Sequence, residues 1–481
     1  METTAESKKE ARQRERANWM TTSGERRSYS VYFMGQNMIY TLVYMFLPTY
    51  LLLVGLDAAA TAGVLILVKV WDAVNDCLFG GLIDKIKVKK GSRFIPWMRI
   101  SLPAIGLTTI LLFSIPNGLA LGSKLIWFAV TYILWDTAYT LCDVPLYGLV
   151  TTMTTIQSER TDLLTKSRIL ANIGVLFALG FGYVLPAEQV GLSFTVIAWI
   201  VTVLSMALMI WLTLRVKERA VREREEDSYG IREMFRYLIG NKYLLIYYLG
   251  LFLLSGLNTA TSVLQFACFY LFDSAMIATV VAAMSFVPAV IIAFFMPVLL
   301  KRFDKFHMFM ISGVAFAVLS LVIWLVGPRL VPHLVLTVLR GIAFSGLSTL
   351  QFMFTPDCAE YGQYKTGIEA KGITFALQTF TMKLVSAVSA SLGFAILGLF
   401  GWKSVEAASF AELAALNVSQ TSAALSALWA TYALLPAIGG ILAVLVWTRY
   451  KLKSRDVELM AKYNLGEITR EDCEAGLSRK Y

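Results

Sequence analysis

The sequence predicts an all-α membrane protein, with twelve transmembrane helices arranged as two six-helix bundles. Three observations carry that expectation. Of 481 residues, 57% are hydrophobic and only 16% are charged, with a mean hydropathy of +0.63, whereas an ordinary soluble domain is about 25% charged. Apolar runs of roughly 20 residues, enough to cross a bilayer, recur along the chain. One hydrophilic stretch then divides these runs into two sets of six. A secreted disulfide scaffold, a disordered chain and a water-soluble enzyme all fit these figures poorly.

Met1 to Arg27 is polar and mixed in charge, unlike a signal peptide, which needs a basic start and a short apolar core. Residues 1–28 therefore read as a cytoplasmic tail. Spans follow at about 29–54, 60–83, 97–115, 125–154, 166–185 and 190–214, which make the first bundle, 29–214. A charged linker, 215–242, precedes spans at about 243–270, 275–300, 307–326, 332–359, 372–400 and 421–448, the second bundle, 243–448. The rest, 449–481, is a second cytoplasmic tail. Within it Leu452 to Arg479 reads either as an amphipathic helix on the inner face or as a solvated segment.

The formal charge of +10 could point to nucleic acid, but its distribution points to topology. Lys85, Lys87, Lys89, Lys90 and Arg93 join spans two and three, and Lys301, Arg302 and Lys305 join spans eight and nine. The linker and both tails are also rich in Lys and Arg, whereas the alternate loops hold only Lys124, Arg329 and Lys403. Basic residues stay on the cytoplasmic side, so both termini are expected there, in a multi-pass protein of the plasma (inner) membrane that binds no nucleic acid. Four of the five cysteines lie in apolar stretches and Cys473 in the tail, without metal-ligand spacing, and all five read as packing thiols. The Asn417-Val418-Ser419 sequon is assigned nothing.

Charges inside spans are costly and usually face a cavity or a partner. In span two, Lys69, Asp72, Asn75 and Asp76 fall on one side of a helix. Two carboxylates a turn apart repel, so either they take up protons or a cation lies between them, and oxygen ligands suit a hard ion. An ion pair with Lys69 alone is the plainer alternative, but one lysine does not neutralise two acids. At about 1.5 Å per residue, Asp72 lies about 18 Å and Asp76 about 12 Å from the inner end. Thr140, Asp143 and Tyr147 share a face of span four, Asp143 about 16 Å deep, and Lys383 in span eleven is about 17 Å deep. Arg168 sits at the inner interface or deeper, depending on where its helix starts. Polar groups from both halves at one depth suit a secondary transporter. The repeated ring of charges expected of a channel is not visible.

These residues carry a resemblance. WDAVND (Trp71 to Asp76), GSRFIPW (Gly91 to Trp97), ERTDLLTKSR (Glu159 to Arg168) and DCAEYGQYKTGIEAKG (Asp357 to Gly372) resemble the glycoside-pentoside-hexuronide:cation symporters, the melibiose permease family. That family implies a major facilitator fold working by alternating access. The resemblance places a cation site, for Na⁺ or alternatively H⁺ or Li⁺, at Asp72, Asn75, Asp76 and Thr140, with Asp72 and Asp76 as the carboxylates holding Na⁺. It places a sugar site at Asn37, Asp143, Tyr147, Arg168, Gln378, Thr379 and Lys383. The loop charges Asp84, Arg93, Asp357 and Glu360 resemble gating contacts of major-facilitator proteins. Four positions depart from the pattern: Gln36-Asn37 replaces a Lys-Asp pair, Tyr147 replaces a tryptophan, and Cys77 stands where a proline usually follows the second acid. Asp136 is a further acid, which either joins the cation route or pairs with Arg340.

The expected function is therefore symport of a sugar, glycoside or hexuronide with a monovalent cation, by a monomer that needs no cofactor and does no covalent chemistry. One alternative keeps the fold but carries a lysolipid or other amphiphile. A second is a nutrient sensor that binds without transport. Enzymatic function is not expected, because His307 and His333 lie at opposite membrane boundaries with no nucleophile arrangement near either. The residues name neither the sugar nor the ion.

Overall fold

The computed structural model describes residues 18–85, 92–219, 239–367 and 371–481. Side chains at 70, 73–74, 76–85, 289–290, 293–294, 297, 371–373, 375–376, 379–380, 383 and 387 lie outside the description. Asp76, Asp84, Thr379 and Lys383 are among these. The described chain is helical, with backbone pairing outside helices confined to isolated bridges such as Val54 with Glu406.

The first half builds α1 (Ser23–Thr41), α2 (Leu47–Leu53), α3 (Ala58–Lys85), α4 (Ile95–Leu112), α5 (Leu121–Met153), α6 (Gln157–Val184) and α7 (Phe194–Arg215). The second builds α8 (Lys242–Gly256), α9 (Ala260–Leu271), α10 (Ile277–Leu299), α11 (Lys305–Val326), α12 (Leu330–Leu350), α13 (Phe354–Thr366) and α14 (Lys371–Leu399). It continues with α15 (Phe410–Ala415), α16 (Ser422–Trp429), α17 (Leu435–Trp447), α18 (Ser454–Asn464) and α19 (Arg470–Gly476). Eight stretches among the described residues are long and apolar enough to cross a membrane: 95–112, 121–153, 157–184, 194–215, 242–271, 305–326, 330–366 and 422–447. Each coincides with an expected span. The other four expected spans fall on α1 with α2, α3, α10 and α14.

Local sequence accounts for many of the boundaries. Side-chain oxygens at Thr22, Ser193, Asn241, Asp304, Thr421 and Thr469 accept hydrogen bonds from first-turn N–H groups, which otherwise lack partners. Two wide π turns, Leu42–Phe46 and Ala430–Leu434, each end two residues before a proline, Pro48 and Pro436. Proline lacks the N–H that would continue the ladder and its ring crowds the preceding turn, so the helix widens there.

The chain forms two compact units. One draws on Met1–Ala60, Val70–Glu225 and Ser404–Val418, the other on Thr61–Lys69, Glu226–Lys403 and Ser419–Tyr481. In the first unit α1 packs on α6 and α7, and α4 packs on α5. Gly174 lets α6 approach the α1 backbone so closely that a Cβ there would stand 2.3 Å from the Met34 carbonyl oxygen. Gly174→Val is expected to destabilise the protein by at least about 3 kcal/mol, beyond ordinary overpacking because backbone cannot yield. Thermal unfolding in detergent measures this.

Residues 404–418, which the sequence places between the last two spans, pack within the first unit. The Ala407 N–H donates to the Leu53 carbonyl (2.7 Å) and the Phe410 N–H to the Pro186 carbonyl (2.9 Å). Glu406 pairs at 3.1 Å with Lys124, whose ammonium also donates to the Val54 carbonyl at 2.9 Å. Lys124, one of the few bases on the sparse side of the charge pattern, is therefore buried and satisfied. In the second unit α10 and α11 pack on α12, while α8 and α11 pack on α17. Its core is aromatic and aliphatic, with Tyr247, Phe309, Phe354 and Trp447 among its buried members.

Candidate sugar and cation site

Helix α5 carries the polar face of the first unit. Asp136, Thr140, Asp143 and Tyr147 recur every three or four residues, which aligns them along one side. Gly148 sits where any Cβ would meet the Phe94 ring at 2.5 Å, so α5 lies close on α4 just beyond Tyr147. The Tyr29 hydroxyl donates to the Leu146 carbonyl at 3.1 Å and ties α1 to the same turn.

Asn75 of α3 meets this face. The Asn75 amide donates to Asp136 (3.0 Å) and to Thr140 (2.9 Å), and its carbonyl oxygen accepts from Thr137 at 3.4 Å. Asp72, one turn earlier on α3, is buried as well, as are Asn75, Asp136 and Thr140. A carboxylate that already accepts from Asn75 is a member of this network, so Asp136 belongs with Asn75 and Thr140. Arg340, its other candidate partner, lies over the Tyr432 ring at 5.5 Å. Among the described residues no three His, Cys, Asp or Glu side chains converge on a point. The oxygens gathered here are carboxylate, amide and hydroxyl, a hard donor set suited to a small cation.

One turn further along α5, Asp143 accepts a hydrogen bond from the Gln36 amide of α1. The neighbouring Asn37 donates to its own helix, at the Phe33 carbonyl (2.9 Å). Of the two amides, Gln36 is the one joined to Asp143. Tyr147 is 51% exposed and meets Phe33 edge-on at 5.5 Å. Arg168 is close enough to Tyr147 to act on it electrostatically. On the same side of α1, Tyr40 stacks on Tyr44 at 5.6 Å and meets Tyr139 of α5 at 5.4 Å. The first unit thus offers a carboxylate, a guanidinium and several half-exposed aromatic rings within a few turns of one another. Rings cover the apolar faces of sugars, while the charged groups take their hydroxyls. Gln378 is buried in α14 of the second unit.

Of the residues expected to gate, Asp84 lies outside the described side chains, and the other three have local partners. Asp357 pairs with Lys305 at 2.5 Å within the second unit, and Glu360 accepts from Asn464 of α18 at 2.8 Å. Arg93 lies over the Phe94 ring at 5.1 Å. Its backbone belongs to a feature the sequence reading missed. The Glu218 carboxylate accepts from the N–H groups of Arg93, Phe94 and Ile95 (2.9–3.0 Å) and from the Ser92 hydroxyl (2.6 Å), capping α4 from beyond the end of α7. Glu218→Ala is expected to cost about 1–2 kcal/mol, the effect of losing a cap, lowering the melting temperature while ligand-induced stabilisation persists. At the start of α1, Glu25 completes a capping box with Thr22 and pairs with Arg219 at 2.9 Å. Burial alone would raise its pKa, but the hydrogen bonds from Thr22 and Arg219 hold it below the usual carboxylate value.

Residues 28–454 match the family model described as MFS/sugar transport protein. The chain belongs to that family. Among its relatives are the isoprimeverose transporter of Lactiplantibacillus pentosus, 23% identical over 92% of this chain and 91% of that one, and the glucuronide carrier protein homolog of Escherichia coli K12, 26% identical over 80% and 84%. The raffinose carrier protein of Pediococcus pentosaceus is 25% identical, over 68% of this chain and 53% of that one. Among solved structures, a bacterial homologue of the lysosomal transporter Spinster, in an inward-facing conformation, aligns with a TM-score of 0.62 at 13% identity, covering 93% of this chain and 99% of that one. The nucleoside transporter NupG aligns with a TM-score of 0.61 at 14% identity, covering 89% and 100%. This MFS sugar transport protein is therefore a multi-pass membrane transporter of the glycoside-pentoside-hexuronide symporter family, and not an enzyme.

Proposed function

We propose that the protein takes up a glycoside or hexuronide together with a monovalent cation, by alternating access of twelve spans in two six-helix bundles, as a monomer of the inner membrane with both termini in the cytoplasm. The observation that carries this reading is the sharing of α5: Thr140 and Asp136 serve the network with Asn75, and Asp143 serves the side of Gln36, Tyr147 and Arg168. Three residues, about 4.5 Å of helix rise, separate Thr140 from Asp143. A cation taken up beside Asp72 and Asn75, with Asp76 as the second carboxylate of α3, relieves repulsion between buried acids and fixes the turn that carries Asp143. The sugar then binds a site already ordered. By linkage, each ligand raises the affinity for the other by the same factor.

Asp143 and Gln36 receive hydroxyls, Tyr147 covers the ring, and Arg168 takes the acidic or hydroxyl-rich end of the substrate. The family resemblance assigns Gln378, Thr379 and Lys383 of the second unit to sugar binding as well. The same resemblance assigns Asp84, Arg93, Asp357 and Glu360 to gating. A glucuronide carrier among the relatives and the cationic side chains assigned to the site favour hexuronides and glycosides over amphiphiles. A thermal-shift screen of neutral glycosides and uronides, each with and without Na⁺, tests both ligands together. A sugar that stabilises the protein more strongly with Na⁺ supports the proposal; uniform stabilisation by lysolipids alone overturns it.

A further inference from the structure

The C-terminal tail forms two helices, α18 and α19, that pack on the second unit. Tyr450 and Leu452 are buried, and α18 and α19 turn their apolar faces, Val457, Met460 and Cys473, into the aromatic core of the second unit. Their target is α13, the helix that bears Asp357 and Glu360. Asn464, the last residue of α18, donates from one amide nitrogen to both the Glu360 backbone carbonyl (3.0 Å) and the Glu360 carboxylate (2.8 Å). Tyr463 meets Tyr364 at 5.7 Å, the Tyr364 hydroxyl reaches Glu474 at 3.5 Å, and Lys365 donates to the Tyr481 carbonyl at 3.0 Å. Successive turns of α13 are thus each held by a different part of the tail.

One buried acid closes the tail on itself. Asp456 is fully buried and accepts from the Ser478 N–H (2.9 Å), the Ser478 hydroxyl (2.5 Å) and the Tyr481 hydroxyl (2.5 Å). The Tyr481 ring packs between Tyr243 and Tyr361 at 5.8 and 6.0 Å. Burial by itself would raise the Asp456 pKa, but hydrogen bonds from Ser478 and Tyr481 outweigh it and hold the carboxyl below its usual value. A lowered folded value means the stabilisation is complete above the unfolded pKa and is lost only as pH falls through the lowered one. The closure therefore stands throughout the neutral range.

We infer that the tail is a brace on α13, with Asn464 as the positioning residue for Glu360 and Asp456 as the clasp that keeps the brace in place. The inference rests on the transport function proposed above. It assigns the tail to the rate of the conformational step: a gate carboxylate that must exchange partners in each cycle does so at a rate set by how firmly its helix and its side chain are held. Ligand affinity, set by α1, α3, α5, α6 and α14, is left alone.

The test is initial-rate uptake of the sugar found by the thermal-shift screen, with the full-length protein in proteoliposomes. Asn464→Ala is expected to change the maximal rate by at least about threefold while the sugar KM stays within about twofold, and Asn464→Gln, which restores an amide, is expected to recover most of the wild-type rate. In Asp456→Ala/Tyr481→Ala, Cys473 is expected to become reactive to maleimide, located by mass spectrometry, and the rate to change in parallel. A wild-type rate in Asn464→Ala, or a KM that moves as far as the rate, overturns the inference. So does a wild-type rate in a double variant whose Cys473 is reactive. If the double variant does not fold, Asn464→Ala with its Gln counterpart decides. Wild-type protein that takes up none of the sugars is a different failure: it removes the proposed function, and the inference falls with it.

Discussion

Asp143→Asn is expected to abolish measurable sugar uptake while leaving the fold and the cation response in place. The substitution keeps the size of the side chain and its acceptance of the Gln36 hydrogen bond, so packing between α1 and α5 is preserved. What it removes is the charge. A hydrogen bond to a charged group contributes about 1.5–3 kcal/mol, so two sugar hydroxyls on this carboxylate would lose about 3 kcal/mol, roughly a hundredfold in affinity. Sugar binding by calorimetry or thermal shift checks this, together with Na⁺-induced stabilisation in the same sample. Sugar affinity within about threefold of wild type would remove Asp143 from the site.

Asp72→Asn is expected to uncouple rather than inactivate. Asp72 is buried one turn from Asn75, and a buried carboxylate facing a cation is neutralised by it. Removing one partner of a buried charge pair costs about 2–5 kcal/mol, so cation affinity should fall at least about thirtyfold. Sugar would still equilibrate downhill through Asp143, Tyr147 and Arg168, but an imposed cation gradient would no longer drive accumulation. Counterflow that persists alongside lost gradient-driven uptake is the expected pair of results. Loss of both would mean that Asp72 holds the fold or the sugar instead of the ion.

The all-helical membrane fold and the polar face of α5 were legible because both are local. Apolar runs announce spans, caps such as Thr22 and Asp304 announce helix starts, and the period of α5 places Asp136, Thr140, Asp143 and Tyr147 on one face without knowledge of any neighbour. What the sequence left open depended on a second helix. Gln36 and Asn37 are adjacent and about 100° apart on α1; the approach that Gly174 permits between α1 and α6 helps fix how α1 lies, and Gln36 is the amide that meets Asp143. Asp136 was visible as an extra acid, but its tie to Asn75 required the packing of α3 on α5. Glu218 carried no signal at all, since its partners at 92–95 lie more than a hundred residues away. In the tail, the sequence left an amphipathic helix and a solvated segment both open, and the aromatic cluster around α13 is what covers the apolar face of α18.

The central claim is that one helix couples a sugar site to a cation site, and uptake into proteoliposomes under an imposed ion gradient tests it most directly. With the protein reconstituted and the sugar at equal concentration on both sides, an inward Na⁺ gradient, or an inward proton gradient if protons couple, is predicted to drive transient accumulation of sugar above its starting level, with an ionophore abolishing it. Sugar that equilibrates at the same rate and to the same level under every gradient would contradict the account, leaving a uniporter whose buried acids serve the fold alone.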